Sequence, residues 1–336
     1  RNTLQERVWP RLRDLCARQG ARFQAIDLRW GVSQEASLDQ QTMTICLDEI
    51  ARSQKVSRRP NFLVLLGDRY GSRLLPARIP ASEYEAIVAQ VAPEEGDRLK
   101  PWYRRDDNAL PQAEYVLQPR AAPYDDYAAW SAVERELRAA LVAGICQLPA
   151  GRYDPTRYLA SATEQEILAG ALGVADAGEH VHCFFRSIAN LDELVRDVAR
   201  TDSAADDERR ARSFVDLDAT GARDPDAERD LASLKDRLRA HLPAAGIHPY
   251  DARWTGDGIT SDHIERLCDD VYTTLAALIE AELAARERVE AVDREEEGHR
   301  AFGAQRFQDF EGRLEIRMAI HAYIAGDEPH PLVVYG

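Results

Sequence analysis

Two short apolar runs decide what this chain can fold into. Phe62–Leu66 (FLVLL) lies between Pro60 and Gly67, and Val181–Ile188 (VHCFFRSI) is a second run of the same kind. Such continuous runs suit strands buried on both faces of a parallel sheet, whose crossover connections carry helices. The surrounding segments supply those helices. Leu4, Val8, Leu12, Leu15 and Cys16 recur at helical spacing, which predicts a helix over 3–19 closed by Gly20. Thr42–Ser53 predicts another, with Met43, Cys46, Leu47 and Ile50 on its apolar side. Arg22–Leu28 alternates and is rich in β-formers, so it reads as a strand, and His248–Trp254 reads as a fourth. Helix and strand in alternation is the order of an open α/β sheet, with these four strands parallel and helices on both faces.

The stretch 74–127 breaks that order. Its prolines, aromatics and mixed charges predict an irregular insertion with one short helix near Ser82–Gln90. Helices are expected again over 127–143, 162–172 and 191–201, a short strand over 213–217, then helices over 226–241 and from 261 to about 288. Residues 291–325 read as a helical connector. The last residues, 326–336 (GDEPHPLVVYG), read as an apolar strand that stops on a glycine. A short buried strand ending in Gly is how a phosphate-binding loop begins, and its Gly-Lys-Ser/Thr would lie past Gly336. The opening Arg1-Asn2-Thr3 starts a helix without Met, the mark of a trimmed chain.

Charge and cysteine usage exclude several classes. A formal net charge of −15 argues against sequence-independent nucleic-acid binding, which needs a basic face to displace counterions. No stretch approaches the ~18–20 apolar residues of a membrane span. Five cysteines are dispersed with no C-x-x-C pair, the usage of reduced thiols in a cytoplasmic protein. His180 and His182 point the same way beside Cys183, but a zinc site wants three or four ligands. No metal and no resident cofactor is expected.

In a doubly wound sheet, ligands bind beyond the carboxyl ends of the strands. Those ends are loaded here: Asp27, Arg29 and Trp30 follow one strand, Asp68, Arg69 and Tyr70 another, and Arg186 closes a third. Three arginines with two aromatics could clamp phosphates and stack a nucleotide ring. Equally, Arg29 with Asp68, or Asp27 with Arg69, could pair and tie the loops together. Two glutamates also stand out. Glu134 is four residues beyond Trp130 and so shares its helix face, and Glu166 lies on the helix that feeds VHCFFRSI. The shared rim predicts that Arg29, Asp68, Arg69 and Glu166 meet in one cleft. A glutamate on a helix also reads as a plain solvent-exposed residue.

The opening RNTLQERVWPRL, the strand end DLRWGVS, the helix CLDEIARSQ and the strand LVLLGDRYG together resemble the DUF4062 family over residues 1–290. These are TIR-like domains found before NACHT ATPases in STAND-type signalling proteins, including the telomerase-associated and NWD/nephrocystin-type proteins. The resemblance implies a flavodoxin-like, TIR-like α/β domain with a large insertion. It also implies a strand preceding Arg1, a downstream NACHT-type ATPase that would bind ATP, and self-association on activation. The implied role is a signalling or effector module, with bacterial antiphage defence among the family's settings. Enzymatic TIR domains cleave NAD with a glutamate on the helix before the fourth strand, often as W-x-x-x-E. Glu166 matches that glutamate by place, and Trp130 with Glu134 matches by letters. NAD is then a candidate substrate, with Arg29, Arg69 and Arg186 as phosphate contacts and Trp30 or Tyr70 for stacking.

Overall fold

The structure is a computed structural model that describes residues 1–27, 38–57, 59–200, 211–218 and 220–287. Beyond these it describes 295–296, 298–300, 302–303, 306, 314–326, 330 and 332. By their contacts the residues divide into two units, Arg1–Glu282 and Leu283–Gly336.

The first unit is built on a three-stranded parallel sheet in an α/β arrangement of flavodoxin-like type. Strand β1 (Leu63–Leu66) pairs with β5 (His182–Ile188), which pairs with β6 (Ile247–Ala252). The central strand buries Cys183, Phe184, Phe185 and Ile188, on both of its faces, as its place between two neighbours requires. On one face Val64, Leu66, Cys183 and Phe185 pack against Ala227, Leu231, Leu234 and Leu238 of helix α10 (Pro225–His241). On the other, β6 leans on helix α11 (Asp262–Glu287), whose Asp270 accepts a 2.6 Å hydrogen bond from the Tyr250 hydroxyl. Helix α10 starts where the sequence commands it. Pro225 fixes the first turn and the Asp224 carboxylate accepts from the backbone N–H of Asp226 and Ala227.

Amphipathic helices α1 (Asn2–Arg7) and α2 (Trp9–Arg18) bury Leu4, Val8, Leu12 and Cys16, as their spacing predicts. The strand expected over Arg22–Leu28 does not form. Residues 21–27 carry no strand pairing, and Leu28 is outside the described residues. Their alternation is real, with every second residue half-buried, but none is fully buried. Phe23 rests against the Trp9 ring at 5.8 Å, so the alternation registers packing on a helix rather than a sheet ladder.

The insertion is not irregular. Strands β2 (Arg78–Pro80), β3 (Tyr103–Asp106) and β4 (Glu114–Leu117) form an antiparallel sheet in the order β2-β4-β3. Helices α4 (Ala81–Val88) and α5 (Pro93–Leu99) lie between its strands, and α6 (Tyr127–Gln147) backs it. A second core of Ile79, Tyr84, Ile87, Leu99, Trp130 and Leu141 holds these elements together. Gly144 lets α6 approach α4. A Cβ there would stand 2.7 Å from both Ile87 Cγ2 and the Ile87 carbonyl.

The helix expected over 162–172 begins as α8 (Ala162–Ile167) and then widens into a π-helical turn, Leu168–Leu172. Gly170 faces the Phe62 ring there, with no room for a Cβ. Helix α3 (Thr42–Val56) lies alongside, and the Gln54 amide donates to the Ala169 carbonyl at 3.0 Å. The expected strand over 213–217 survives as isolated bridges, Val215 with Asp68 and Leu217 with Arg223. In the second unit, helix α12 (Leu314–Ile324) buries none of its residues. The expected strand over 326–336 falls largely outside the described residues. No helix among the described residues is long and apolar enough to cross a membrane.

Candidate functional site

The chain leaves β1 through Gly67-Asp68-Arg69-Tyr70-Gly71, and this turn organises the rim of the sheet. Asp68 turns back across the strand ends. One of its oxygens accepts from the backbone N–H of Ile188 at 2.8 Å, and the other lies 3.9 Å from Lys235 Nζ. Burial raises the Asp68 pKa above its ordinary value, with Lys235 and the Ile188 N–H opposing that rise. Arg69 reaches Asp216 at 3.3 Å. The other Asp216 oxygen accepts from the backbone N–H of Tyr70 at 2.6 Å and of Gly71 at 3.2 Å. Two strand-end segments, 68–71 and 215–217, are thereby clamped by one carboxylate.

Tyr70 is nearly fully buried and its hydroxyl donates to Glu164, which also pairs with Arg237. Ser161 completes this corner, its hydroxyl donating to the Tyr70 carbonyl at 2.8 Å while it caps α8. Burial and the Glu164 carboxylate push the Tyr70 phenol up to about 12. Tyr70 is therefore a neutral anchor inside the fold, with no ring face offered for stacking. Arg186 lays its guanidinium over Gly67 and Phe214.

Glu166 does not join these groups. Two residues from Glu164 on a helix, it faces the other way, where its neighbours are the Cys46 thiol of α3 and Arg1. Burial raises the pKa of Glu166, and burial with that carboxylate raises the Cys46 thiol to about 12. Asp27 pairs with Arg1 at 3.2 Å on this side. The expected meeting of Glu166 with Asp68 and Arg69 thus fails on helix geometry. Arg29 and Trp30 lie outside the described residues.

Glu134 occupies a third setting. Trp130 and Tyr127 lie against its half-buried carboxylate, and Arg120 and Arg138 stand close by. Burial raises its pKa against all four of those contacts. The neighbourhood borders the Tyr70 turn: Arg73 stacks over the Tyr70 ring at 4.9 Å, and its charge reaches Arg138. Trp130 itself is core, 2% exposed and edge-on to Trp102 at 4.8 Å. Sequence reasoning missed Asp216, Glu164, Lys235 and Arg120 as partners, because each is remote in sequence from the group it meets; Arg138 is one helical turn from Glu134 and was legible by its spacing.

A groove of about 900 Å³ lies elsewhere. It runs between α3, residues 74–78 and the end of α10, lined by Met43, Leu47, Leu74, Leu168, Arg237 and His241. None of the candidate site residues read from the sequence lines it. Among the described residues no group of three His, Cys, Asp or Glu is placed to hold a metal ion.

No family model matches the chain. It is similar to NACHT domain- and WD repeat-containing protein 1 of Mus musculus, 28% identical over 356 aligned positions that cover 100% of this chain and 22% of the relative. NACHT and WD repeat domain-containing protein 2 of Mus musculus is 27% identical over 374 positions, covering 100% of this chain and 21% of the relative. NACHT domain- and WD repeat-containing protein 1 of Homo sapiens is 27% identical over 259 positions, covering 75% of this chain and 16% of the relative. The chain spans about a fifth of the length of the two mouse relatives. No solved structure matches it.

Proposed function

We propose that this chain is a signalling module of a larger NACHT-type protein, working by interaction with that protein's ATPase and with further copies of itself. The observation that carries this reading is the commitment of Asp216, Asp68 and Tyr70 to partners within the fold. Asp216 holds Arg69 and two backbone N–H groups, Asp68 holds the Ile188 N–H and faces Lys235, and Tyr70 is spent on Glu164. Side chains committed in this way fix loop shape, as a rigid docking platform needs. Likeness to NACHT- and WD-repeat-containing proteins supports the same reading. In the full-length protein, removing residues 1–282 should change both ATP turnover and particle size on activation. Unchanged values of both would refute the module's role.

A second reading is an NAD glycohydrolase, favoured by the setting of Glu134. A half-buried carboxylate beside an indole and two arginines is equipped to face a cationic sugar transition state and the phosphates behind it. On this reading Glu134→Gln abolishes nicotinamide release by the activated full-length protein, a loss of about 10²–10³-fold or more. Glu166→Gln leaves release unchanged, since Glu166 faces Cys46. No release from the activated wild type removes this reading.

A further inference from the structure

At the ends of β1 and β5 the fold gathers more positive than negative charge around one carboxylate. Arg186 covers Gly67 so closely that a Cβ on that residue would stand 2.6 Å from Arg186 Nη2. The Arg186 Nε is buried and meets no hydrogen-bond partner among the described residues. From the other face of the sheet comes Lys235, only 9% exposed, with Nζ 3.9 Å from Asp68. The second Asp68 oxygen is already occupied by the Ile188 N–H. Buried Lys235 and half-buried Arg186 therefore both act on one carboxylate that is itself half committed. Arg223 also acts on Asp68, but it is neutralised by Asp192 and Glu228. Arg239, which acts on Lys235, pairs with Asp236 at 2.8 Å. Burial lowers the pKa of both Arg186 and Lys235, as it does for cations that lack full anionic compensation. His263 adds a buried Nδ1 with no hydrogen-bond partner among the described residues, close enough to feel the Arg186 charge.

We propose that the Gly67–Asp68 corner is an oxyanion site, in which Arg186 and Lys235 take the oxygens of a phosphoryl group. The guanidinium supplies a planar donor fork and the ammonium a point charge, the pairing that suits a phosphate with several oxygens. Asp68 aims Lys235, and Gly67 gives Arg186 the room to lie across the strand end. The location is where an open α/β sheet receives ligands, beyond the carboxyl ends of its strands. Free phosphate and the terminal phosphate of a nucleotide present the same chemistry to this corner. The site does not depend on whether the domain acts as an interaction module or a glycohydrolase.

The test is calorimetry and thermal unfolding of the protein of residues 1–336 with inorganic phosphate, with ADP, and with chloride at matched ionic strength. Phosphate should raise the melting temperature where chloride does not. Arg186→Gln and Lys235→Gln should each weaken its binding about tenfold or more, the loss of one hydrogen bond to a charged group. Gly67→Ala keeps both charges but displaces the guanidinium, so it should weaken binding as well. Circular dichroism and the urea midpoint establish that each variant is folded. Tighter binding of ADP than of phosphate, lost in Arg186→Gln, assigns the site to a nucleotide; equal or weaker ADP binding assigns it to free phosphate. Absence of a phosphate-specific shift in the wild type overturns the proposal. So does phosphate binding of equal strength in wild type and Arg186→Gln.

Discussion

Asp216 connects more of the rim than any residue chosen from the sequence. It accepts from two consecutive backbone N–H groups and from Arg69, across 147 residues of chain. Asp216→Ala would leave the N–H groups of Tyr70 and Gly71 without their acceptor. Donors stripped of a partner cost about 1–3 kcal/mol, so the urea midpoint should drop accordingly with the slope unchanged. A midpoint within error of wild type would mean that the clamp adds nothing to stability. Asp68, Arg69, Tyr70 and Arg186 were legible as rim residues because strand ends in an α/β sheet are readable from apolar runs. Asp216 and Lys235 were not. A lone carboxylate in a short segment and a lysine inside an amphipathic helix look like ordinary solvated charges until the fold brings them to the rim.

At the scale of elements, legibility followed the strength of the periodic signal. The runs 63–66 and 182–188 could be placed as parallel strands because short, mainly apolar stretches separated by helical segments fit few other environments. Residues 22–27 carried a pattern just as regular and form no strand, since alternation records half-burial and not the presence of a hydrogen-bonding neighbour. The insertion hid its sheet because its strands are only three or four residues long and expose much of their surface. What holds it is the contact of α4 with α6 at Gly144, where the ideal Cβ position is already filled by Ile87. Gly144→Ala gains helix propensity of about 1 kcal/mol but forces the helices apart, an overpacking cost of about 1–3 kcal/mol. Net destabilisation is expected, read as a lower melting temperature. Gly298→Ala, where a Cβ meets nothing, serves as the control. A rise in melting temperature for Gly144→Ala would show that the two helices can separate freely.

At the scale of the whole molecule, stability should depend on pH through a histidine pair at the amino ends of β5 and β6. His182 Nδ1 and His248 Nε2 lie 3.3 Å apart, with buried His180 close to His182 and Asp270 acting on His248. Burial lowers the pKa of His182, and the neighbouring histidines lower it further; burial also lowers that of His248. With folded values below the ordinary 6.5, the unfolded chain binds more protons in the window beneath it. The contribution is therefore fully present above pH 6.5 and is lost as the pH falls toward the folded values. The buried carboxyls of Asp68, Glu134 and Glu166 act with the opposite sign. Their raised values give stability at low pH that is lost as the pH rises, beginning from the ordinary 3.8 and 4.5. Net repulsion from the −15 charge also relaxes on acidification, but salt screens it beyond about 8 Å at physiological ionic strength. Urea midpoints taken in such salt between about pH 7.5 and about pH 5.5 should fall in the wild type. His182→Gln and His248→Gln should each flatten that fall, whatever they do to the midpoint at neutral pH. A fall that keeps its full steepness in both variants would move the pH dependence away from this pair and onto the remaining titrating groups.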